Sequence, residues 1–186
     1  MAEQPLVSID DIAARLGRDL TDSEETRAEA LVVDVSAAVR AYTGQTLSAT
    51  ETTRRLRTRG RTVRLPERPV NTVTAVTDLD GNDIDFSWYN GDTITIEASP
   101  TGGWVDVTYS HGWEELPADI VAVVCQIVGR ALGTPADEGA YQSESIGNYS
   151  YTIGAAAAAG ATGMLNDERA VLDRYRRVGA TVWLTT

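Results

Sequence analysis

The sequence predicts an α+β protein: a small helical bundle of about three to four helices, with a small antiparallel β-region inserted between the second and third helices. Two observations predict this class. Apolar residues recur at helical spacing in the first 44 residues and again after Pro117, whereas from residue 51 to 109 they alternate with polar ones. Two dipeptides typical of tight turns, Asp80-Gly81 and Asn90-Gly91, lie within the alternating part. We therefore expect one domain over residues 1–186, with a β-rich insertion at 51–110.

Two helices are expected before the insertion. Ser8 can cap a short helix, which Gly17 ends in the usual way. Thr21-Asp22-Ser23-Glu24 has the form of a capping box and begins a longer helix that stops at Gly44. One face of the longer helix should be buried, because its apolar residues recur every three or four positions: Ala28, Leu31, Val32, Val35, Val39 and Tyr42.

The strands of the insertion are predicted from alternation of apolar and polar residues. The apolar positions fall into four groups, and a strand is expected at each. These groups are Val63 and Leu65; Ile84, Phe86 and Trp88; Ile94 and Ile96; and Val105, Val107 and Tyr109.

The last third of the chain returns to helical patterns. Pro117 suits the first turn of a helix whose run at 120–128 is apolar on nearly every face, so neighbouring subunits could supply part of its cover. Residues 154–163 are rich in alanine and glycine and are predicted to form a flexible loop. Asn166 is expected to cap a last helix, and residues 178–186 to form a C-terminal arm.

Composition excludes several functional classes. The 16 basic residues are all arginine, and without a lysine there can be no Walker A loop and no Schiff-base or kinase-type site. The net charge of −11 makes a general nucleic-acid binder a poor fit. No apolar run reaches the roughly 18 to 20 residues of a membrane helix, and the N-terminus does not resemble a signal peptide. We expect no membrane association and a protein that stays in the cytosol where it is made.

Candidate residues for chemistry are few, and we expect no catalytic, cofactor or metal site. His111 would need a serine and an acid beside it for a catalytic triad, and a place at a strand end before Gly112 is the simpler interpretation. Cys125 lies in the apolar helix and is expected to be a small buried hydrophobe. The acids around Gly81 lack the spacing of an EF-hand loop and fit a polar turn.

Arginines are concentrated in one short segment. Seven arginines and one acid, Glu67, lie between Arg54 and Arg68. As an outer strand face they could bind DNA phosphates or, as we favour, an acidic neighbouring subunit; the alternative is a solvated edge that prevents strand aggregation. The residues predicted to form an inter-subunit charged strand are Arg55, Arg57, Arg59 and Arg64.

The C-terminal tail combines charge with apolar residues. The three arginines at the end of the last helix suit the helix dipole, and an apolar patch follows with little chain left to cover it. The patch could fold back onto the core or act as an arm that binds another protein. The partner-binding residues predicted here are Arg174, Arg176, Arg177, Val182, Trp183 and Leu184.

Several segments together resemble the head-to-tail adaptor family of long-tailed bacteriophages, also called head–tail connector or head-completion proteins, in particular those of actinophages. No segment is specific alone, and their order and spacing carry the resemblance. They are residues 36–45 (SAAVRAYTGQ), 64–70 (RLPERPV), 107–113 (VTYSHGW), 116–120 (LPADI), 143–147 (SESIG) and 167–172 (DERAVL).

The resemblance implies a structural virion protein of the neck, assembled in the host cytoplasm into a ring homo-oligomer, a dodecamer. The ring would dock on the portal protein and meet a stopper or tail-completion protein, with DNA passing non-specifically through its lumen. Residues 174–186 would be the portal arm. Residues 143–163 would be a mobile loop facing neighbouring subunits or the stopper, with Ile146, Tyr149, Tyr151 and Ile153 as its contact residues. An acidic lumen would repel DNA phosphates and let the DNA slide.

Other functions remain open at this stage. A stopper or tail-terminator subunit of the same connector would be richer in β-structure than the helices here suggest. A nucleic-acid-binding regulator would use the arginine strand, and a hydrolase would use His111.

Overall fold

The protein was analysed as a computed structural model, which describes residues 4–133, 143–146, 149–152 and 162–177. The chain divides into two compact units. We call Met1–Thr43 with Pro117–Tyr175 the helical unit, and Gly44–Leu116 with Arg176–Thr186 the sheet unit.

The helical unit contains four α-helices in its described part, each close to a predicted position. The last of them continues directly into a 3-10 helix. They are α1 (Ile9–Leu16), α2 (Asp22–Thr43), α3 (Ala118–Gly133) and α4 (Asn166–Leu172), which continues as the 3-10 helix Asp173–Tyr175.

Local capping signals fix where these helices begin and end. The Ser8 hydroxyl accepts a hydrogen bond from the Asp11 backbone N–H at 3.1 Å, and Gly17 takes the left-handed conformation that ends α1. The carboxylate of Glu24 accepts from the Thr21 N–H at 3.0 Å, as the capping box requires. These predictions are confirmed.

The predicted cap of the last helix is wrong by one residue. Asn166 is the first helical residue, and the preceding position is Leu165, whose side chain cannot cap. The Glu168 carboxylate accepts from the Leu165 N–H at 2.7 Å and also binds Arg130 on α3, with 2.6 Å between Arg130 Nη1 and Glu168 Oε1. Glu168 therefore caps α4 and ties it to α3.

Helix α3 is buried by its own chain. It packs against α1, α2 and α4, and its buried residues include six of the nine in the apolar run 120–128: Ile120, Val123, Val124, Cys125, Ile127 and Val128, with Ala131 beyond it. Cover from a neighbouring subunit is therefore not needed here, and α3 gives no argument for oligomerisation.

The sheet unit is built on one six-stranded antiparallel sheet. In order across the sheet the strands are β3-β6-β1-β2-β5-β4. The segment before β4 returns to β3, where the Ile84 N–H donates to the Val76 carbonyl at 2.8 Å, so the sheet is nearly closed on itself. The strands are β1 (Thr50–Arg59), β2 (Thr62–Arg64), β3 (Val70–Thr77), β4 (Phe86–Ser87), β5 (Thr93–Ile96) and β6 (Trp104–His111).

The predicted fold class is wrong in its proportions. The strands do not form a small insertion in a helical bundle, because the nearly closed sheet encloses a hydrophobic core of its own. Neither β1 nor β3 was among the strands predicted from alternation, and the inward positions of β1 include Thr52, Arg54 and Thr58 beside the single apolar Leu56. The core residues are Val63, Leu65, Val76, Ile94, Ile96, Val105, Val107 and Tyr109.

A tight approach of the chain to itself lies just beyond β6. Gly112 has φ +90°, and a Cβ at this position would collide with the Ser48 carbonyl. The neighbouring Trp113 bridges to Ser48, so two chain segments pass at backbone distance. Only glycine fits this crossing without displacement.

A separate antiparallel hairpin follows α3 in the sequence. Its strands are β7 (Ser143–Ile146) and β8 (Tyr149–Thr152), paired with Ile146 opposite Tyr149. None of the helices that the structure describes is both long and apolar enough to cross a lipid bilayer.

Candidate functional site: the outer face of the sheet

The arginine-rich strand predicted from the sequence is β1, and it presents two different faces. Successive side chains of a strand point to opposite sides. Leu56 faces the core of the sheet, whereas Arg55, Arg57 and Arg59 lie on the outer side and are exposed. The predicted positions are thus brought together on one surface.

Arg55 is held by an internal partner. Its guanidinium donates two hydrogen bonds of 2.9 Å to the carboxylate of Asp106, the residue directly opposite on β6. These bonds lower the pKa of Asp106 and raise that of Arg55. A bidentate pair of this kind fixes both side chains along the sheet, so Arg55 is not available as a free positive charge.

Arg64 and Arg68 share one acid. Arg64 Nε lies 3.1 Å from Asp92 Oδ2, and Arg68 contacts the same oxygen. Burial raises the pKa of Asp92, but the Arg64 hydrogen bond and the charge of Arg68 outweigh it, so the net shift is downward. Two guanidinium groups against one carboxylate leave a net positive charge at this end of β2.

Arg57 and Arg59 have no ion-pair partner among the residues that the structure describes. Arg57 lies directly opposite Trp104 of β6, an exposed large apolar side chain with 39% of its surface accessible. Cross-strand neighbours have Cβ atoms about 5 Å apart, so the two side chains leave the sheet side by side on its outer face. We call Arg57, Arg59 and Trp104 the arginine–tryptophan face. Arginine and tryptophan are enriched in protein interfaces.

A buried charge cluster on the inner side was not predicted. Glu67 is only 2% exposed, and its Oε1 lies 2.8 Å from Arg54 Nη2. The hydroxyl of Tyr109 donates to its other oxygen. Burial, and then this bond to Glu67, raise the pKa of Tyr109 well above its ordinary value. The signal in the sequence was Glu67 itself, the single acid among seven arginines.

Glu67 also binds Arg177, which the sequence assigned to the partner-binding tail. Arg177 Nη2 lies 3.7 Å from Glu67 Oε1, and its side chain passes close to Gly44. The structure therefore places Arg177 within the sheet unit, at the end of the described chain.

The other predicted tail residues fall into two groups. Arg174 pairs with Asp119 at 2.9 Å, and the hydroxyl of Tyr175 donates to the same carboxylate. Arg176 also has an interaction within the chain. These basic residues thus have internal contacts, and the apolar patch lies outside the described residues: Val182, Trp183 and Leu184.

The predicted loop contacts are only partly described. Ile146, Tyr149 and Tyr151 are in the β7–β8 hairpin, with Glu144 opposite Tyr151. Ile153 lies outside the described residues. Their role as inter-subunit contacts stays a prediction.

The residues weighed for chemistry occupy structural positions. His111 ends β6, is buried and packs against Tyr109, with ring centroids 5.4 Å apart. Burial lowers the pKa of His111 and raises that of the Cys125 thiol. Asp78 accepts from the backbone of Asp80 and Asn82, which makes the acidic segment a polar turn. In the described part of the chain no group of three or more His, Cys, Asp or Glu residues could hold a metal ion.

Comparison with known proteins gives matches among solved structures. No protein-family model and no curated protein matches the chain. A chain from the neck of an empty gene transfer agent particle, computed with C6 symmetry, aligns with TM-score 0.57 and 19% identity, over 94% of this chain and 91% of that one. A chain from the native particle's neck, computed with C12 symmetry, aligns with TM-score 0.50 and 19% identity, over 96% and 97%.

A third match comes from the virion of the native gene transfer agent, with TM-score 0.55, 20% identity and 95% of each chain covered. At this identity the likeness establishes a shared fold. None of the three is described as an actinophage protein, so the neighbours do not support the narrower resemblance to actinophage adaptors.

Proposed function

We propose that this chain is a structural subunit of the neck of a phage-like particle, the connector between head and tail, and not an enzyme. The observation that carries the proposal is the shared fold with chains from gene transfer agent necks and virions, which spans at least 91% of either chain in each comparison. Fold alone does not fix function. The surface supports a binding role, because exposed Trp104 lies near Arg57 and Arg59, which form no ion pair with any residue that the structure describes.

The finer proposal is a head-to-tail adaptor that forms a ring. The neck structures computed with C6 and C12 symmetry support a ring of copies, and a dodecamer satisfies both symmetries. In this proposal the ring docks on the portal protein, meets a stopper or tail-completion protein on its other side, and lets DNA pass through its lumen. A net charge of −11 supports passage without adhesion, since acidic walls repel phosphates.

The portal contact is proposed for the end of the chain. Arg174 binds Asp119 and Arg177 binds Glu67, so these ion pairs hold the start of the C-terminal segment in place. The apolar residues Val182, Trp183 and Leu184 would then make the contact with the portal. Residues Ile146, Tyr149, Tyr151 and Ile153 are proposed to face a neighbouring subunit or the stopper.

Co-expression with the portal protein tests this function. We expect a complex whose mass contains a full ring of this chain per portal, seen by native mass spectrometry and by ring-shaped particles in electron micrographs. A variant that ends at Arg177 should keep its fold and lose the complex. If the full chain and portal never co-purify, the adaptor function is wrong; if the shortened chain still binds, only the arm assignment is wrong.

A further inference from the structure

The arginine–tryptophan face carries a charge that no ion pair neutralises within residues 4–133 and the other described segments. Arg57 and Arg59 are two residues apart on one side of β1, so their Cα atoms are about 6.7 Å apart. Like charges at this distance repel each other, and two acids of the sheet unit, Asp106 and Asp92, are already bound to Arg55 and Arg64. The exposed Trp104 adds an apolar surface beside them. A partner for this face must therefore be acidic and offer an apolar contact.

Helix α2 exposes a surface with that chemistry. Glu25 and Glu29 are exposed, lie four residues apart on one face and have no ion-pair partner in the described part of the chain. Val33 follows after four more residues and is 50% exposed. Acids four apart on a helix repel each other, and an opposite charge from outside would turn this repulsion into attraction.

No basic side chain offsets these acids from the same helix. Arg27 turns toward α3 and donates to the Ala131 carbonyl at 2.9 Å. Arg40 is 8% exposed and donates to the Gln4 carbonyl. The exposed side of α2 is therefore acidic in its first half and apolar beyond it.

The two surfaces match in spacing as well as in charge. Residues four apart on a helix are separated by about 6 Å along its axis, close to the 6.7 Å or so between Arg57 and Arg59. Val33 continues the α2 row by about another 6 Å. Trp104 lies across from Arg57 on the neighbouring strand, so it adds apolar surface beside the arginine row at its Arg57 end. An antiparallel placement puts Arg59 on Glu25 and Arg57 on Glu29, with Trp104 and Val33 as the apolar groups at the Glu29 end of the contact.

We propose that the arginine–tryptophan face of one copy binds the exposed face of α2, Glu25–Glu29–Val33, on a second copy. The inference rests on the proposed neck function, since it names the interface by which subunits join. Each copy carries both surfaces, so the contact is head-to-tail and can continue from copy to copy until a ring closes. A nucleic-acid duplex is a poorer occupant, because its bases are stacked inside the helix and unavailable to Trp104, and because it meets a chain of net charge −11.

Charge exchange tests the interface directly. One variant carries Arg57→Glu and Arg59→Glu, and a second carries Glu25→Arg and Glu29→Arg. Each alone juxtaposes like charges and should weaken self-association at least about 100-fold, measured by sedimentation velocity up to millimolar protein. Mixed in equal amounts, the two variants present opposite charges at every alternating contact, and the mixture should assemble. A third variant with all four changes should assemble alone.

The control places the same charge change elsewhere. Glu97→Arg with Asp80→Arg alters two exposed acids outside both surfaces and should leave association unchanged. Circular dichroism checks that every variant is folded.

Three results would overturn the interface: a wild-type chain that stays monomeric at millimolar concentration, single-surface variants that assemble normally, or a mixture that does not recover. If Arg57→Glu with Arg59→Glu instead abolishes binding to a DNA duplex at physiological salt, nucleic acid occupies the face. Should the interface fail while the chain still forms a complex with portal, the neck function stands and only this contact is wrong.

Discussion

Glu67 shows how a single charged residue organises the sheet unit. A carboxylate that is 2% exposed is tolerated because Arg54, Arg177 and the Tyr109 hydroxyl surround it. No periodicity identifies such a residue, since its partners are 13, 110 and 42 positions away in the sequence. Arg177 looked like part of an arm because the sequence could not reveal that its partner lies in the sheet unit.

Replacing Glu67 by Gln should destabilise the protein by about 2 kcal/mol. Breaking a buried ion pair costs about 3–5 kcal/mol, and the smaller value is expected because the Arg54 and Arg177 side chains are 48% and 32% exposed and can be solvated. Urea unfolding of the variant and the wild type measures this loss in the free energy of unfolding. The matched control is Asp106→Asn at the exposed Arg55 pair, where at most about 1 kcal/mol is expected. Equal losses in the two variants would mean that Glu67 has no special role.

His111 should make stability depend on pH in a narrow window. Burial lowers its pKa in the folded state, an effect that the Glu67 charge opposes and Arg54 reinforces. The unfolded chain, with a pKa of about 6.5, then takes up the proton first. The free energy of unfolding therefore has its full value above about pH 6.5. Below that pH it declines, by at most about 1.4 kcal/mol per pH unit.

The test compares unfolding of the wild type and His111→Phe between pH 7.5 and about 5.5, above the range in which ordinary carboxylates titrate. As the chain has one histidine, the free energy of unfolding of the variant should no longer depend on pH in this range. If the variant kept the same pH dependence as the wild type, His111 would not be the cause of that dependence.

At the scale of elements, the helices were predictable and the sheet only in part. Ser8 and Gly17 fix α1 through bonds within four residues, so the sequence contains the whole signal. β1 is different, because its partners on both sides decide that Arg54 faces inward and Arg55 outward. A strand with arginines on both faces shows no alternation, and the prediction of a small insertion followed from that.

Gly112 gives a prediction about the end of β6. Gly112→Ala combines a left-handed backbone with a collision against the Ser48 carbonyl, so we expect a loss of about 3 kcal/mol or more. Gly81→Ala is the control, because Gly81 has φ +86° but open space around it, and only about 1 kcal/mol should be lost. Thermal unfolding measures both. Similar losses would mean that backbone strain alone matters at Gly112.

At the scale of the whole molecule, the sequence resembles connector proteins, and the structural neighbours that share its fold are chains from gene transfer agent necks and a virion. The resemblance used short segments such as 107–113, which form the end of β6 and the crossing at Gly112. The proposed interface could not be predicted in the same way. Trp104 is far from Arg57 and Arg59 in the sequence and meets them only through strand register, whereas the acids of α2 looked like an ordinary solvated face.

The most direct test is to locate the chain in an assembled particle. Cryo-electron microscopy of particles from the genome that encodes it, with an epitope tag and antibody fragment on this chain, should show the added density as a ring at the single vertex that joins the tail. Particles that carry the tag elsewhere, or tailed particles with an intact neck that lack this chain altogether, would contradict the account.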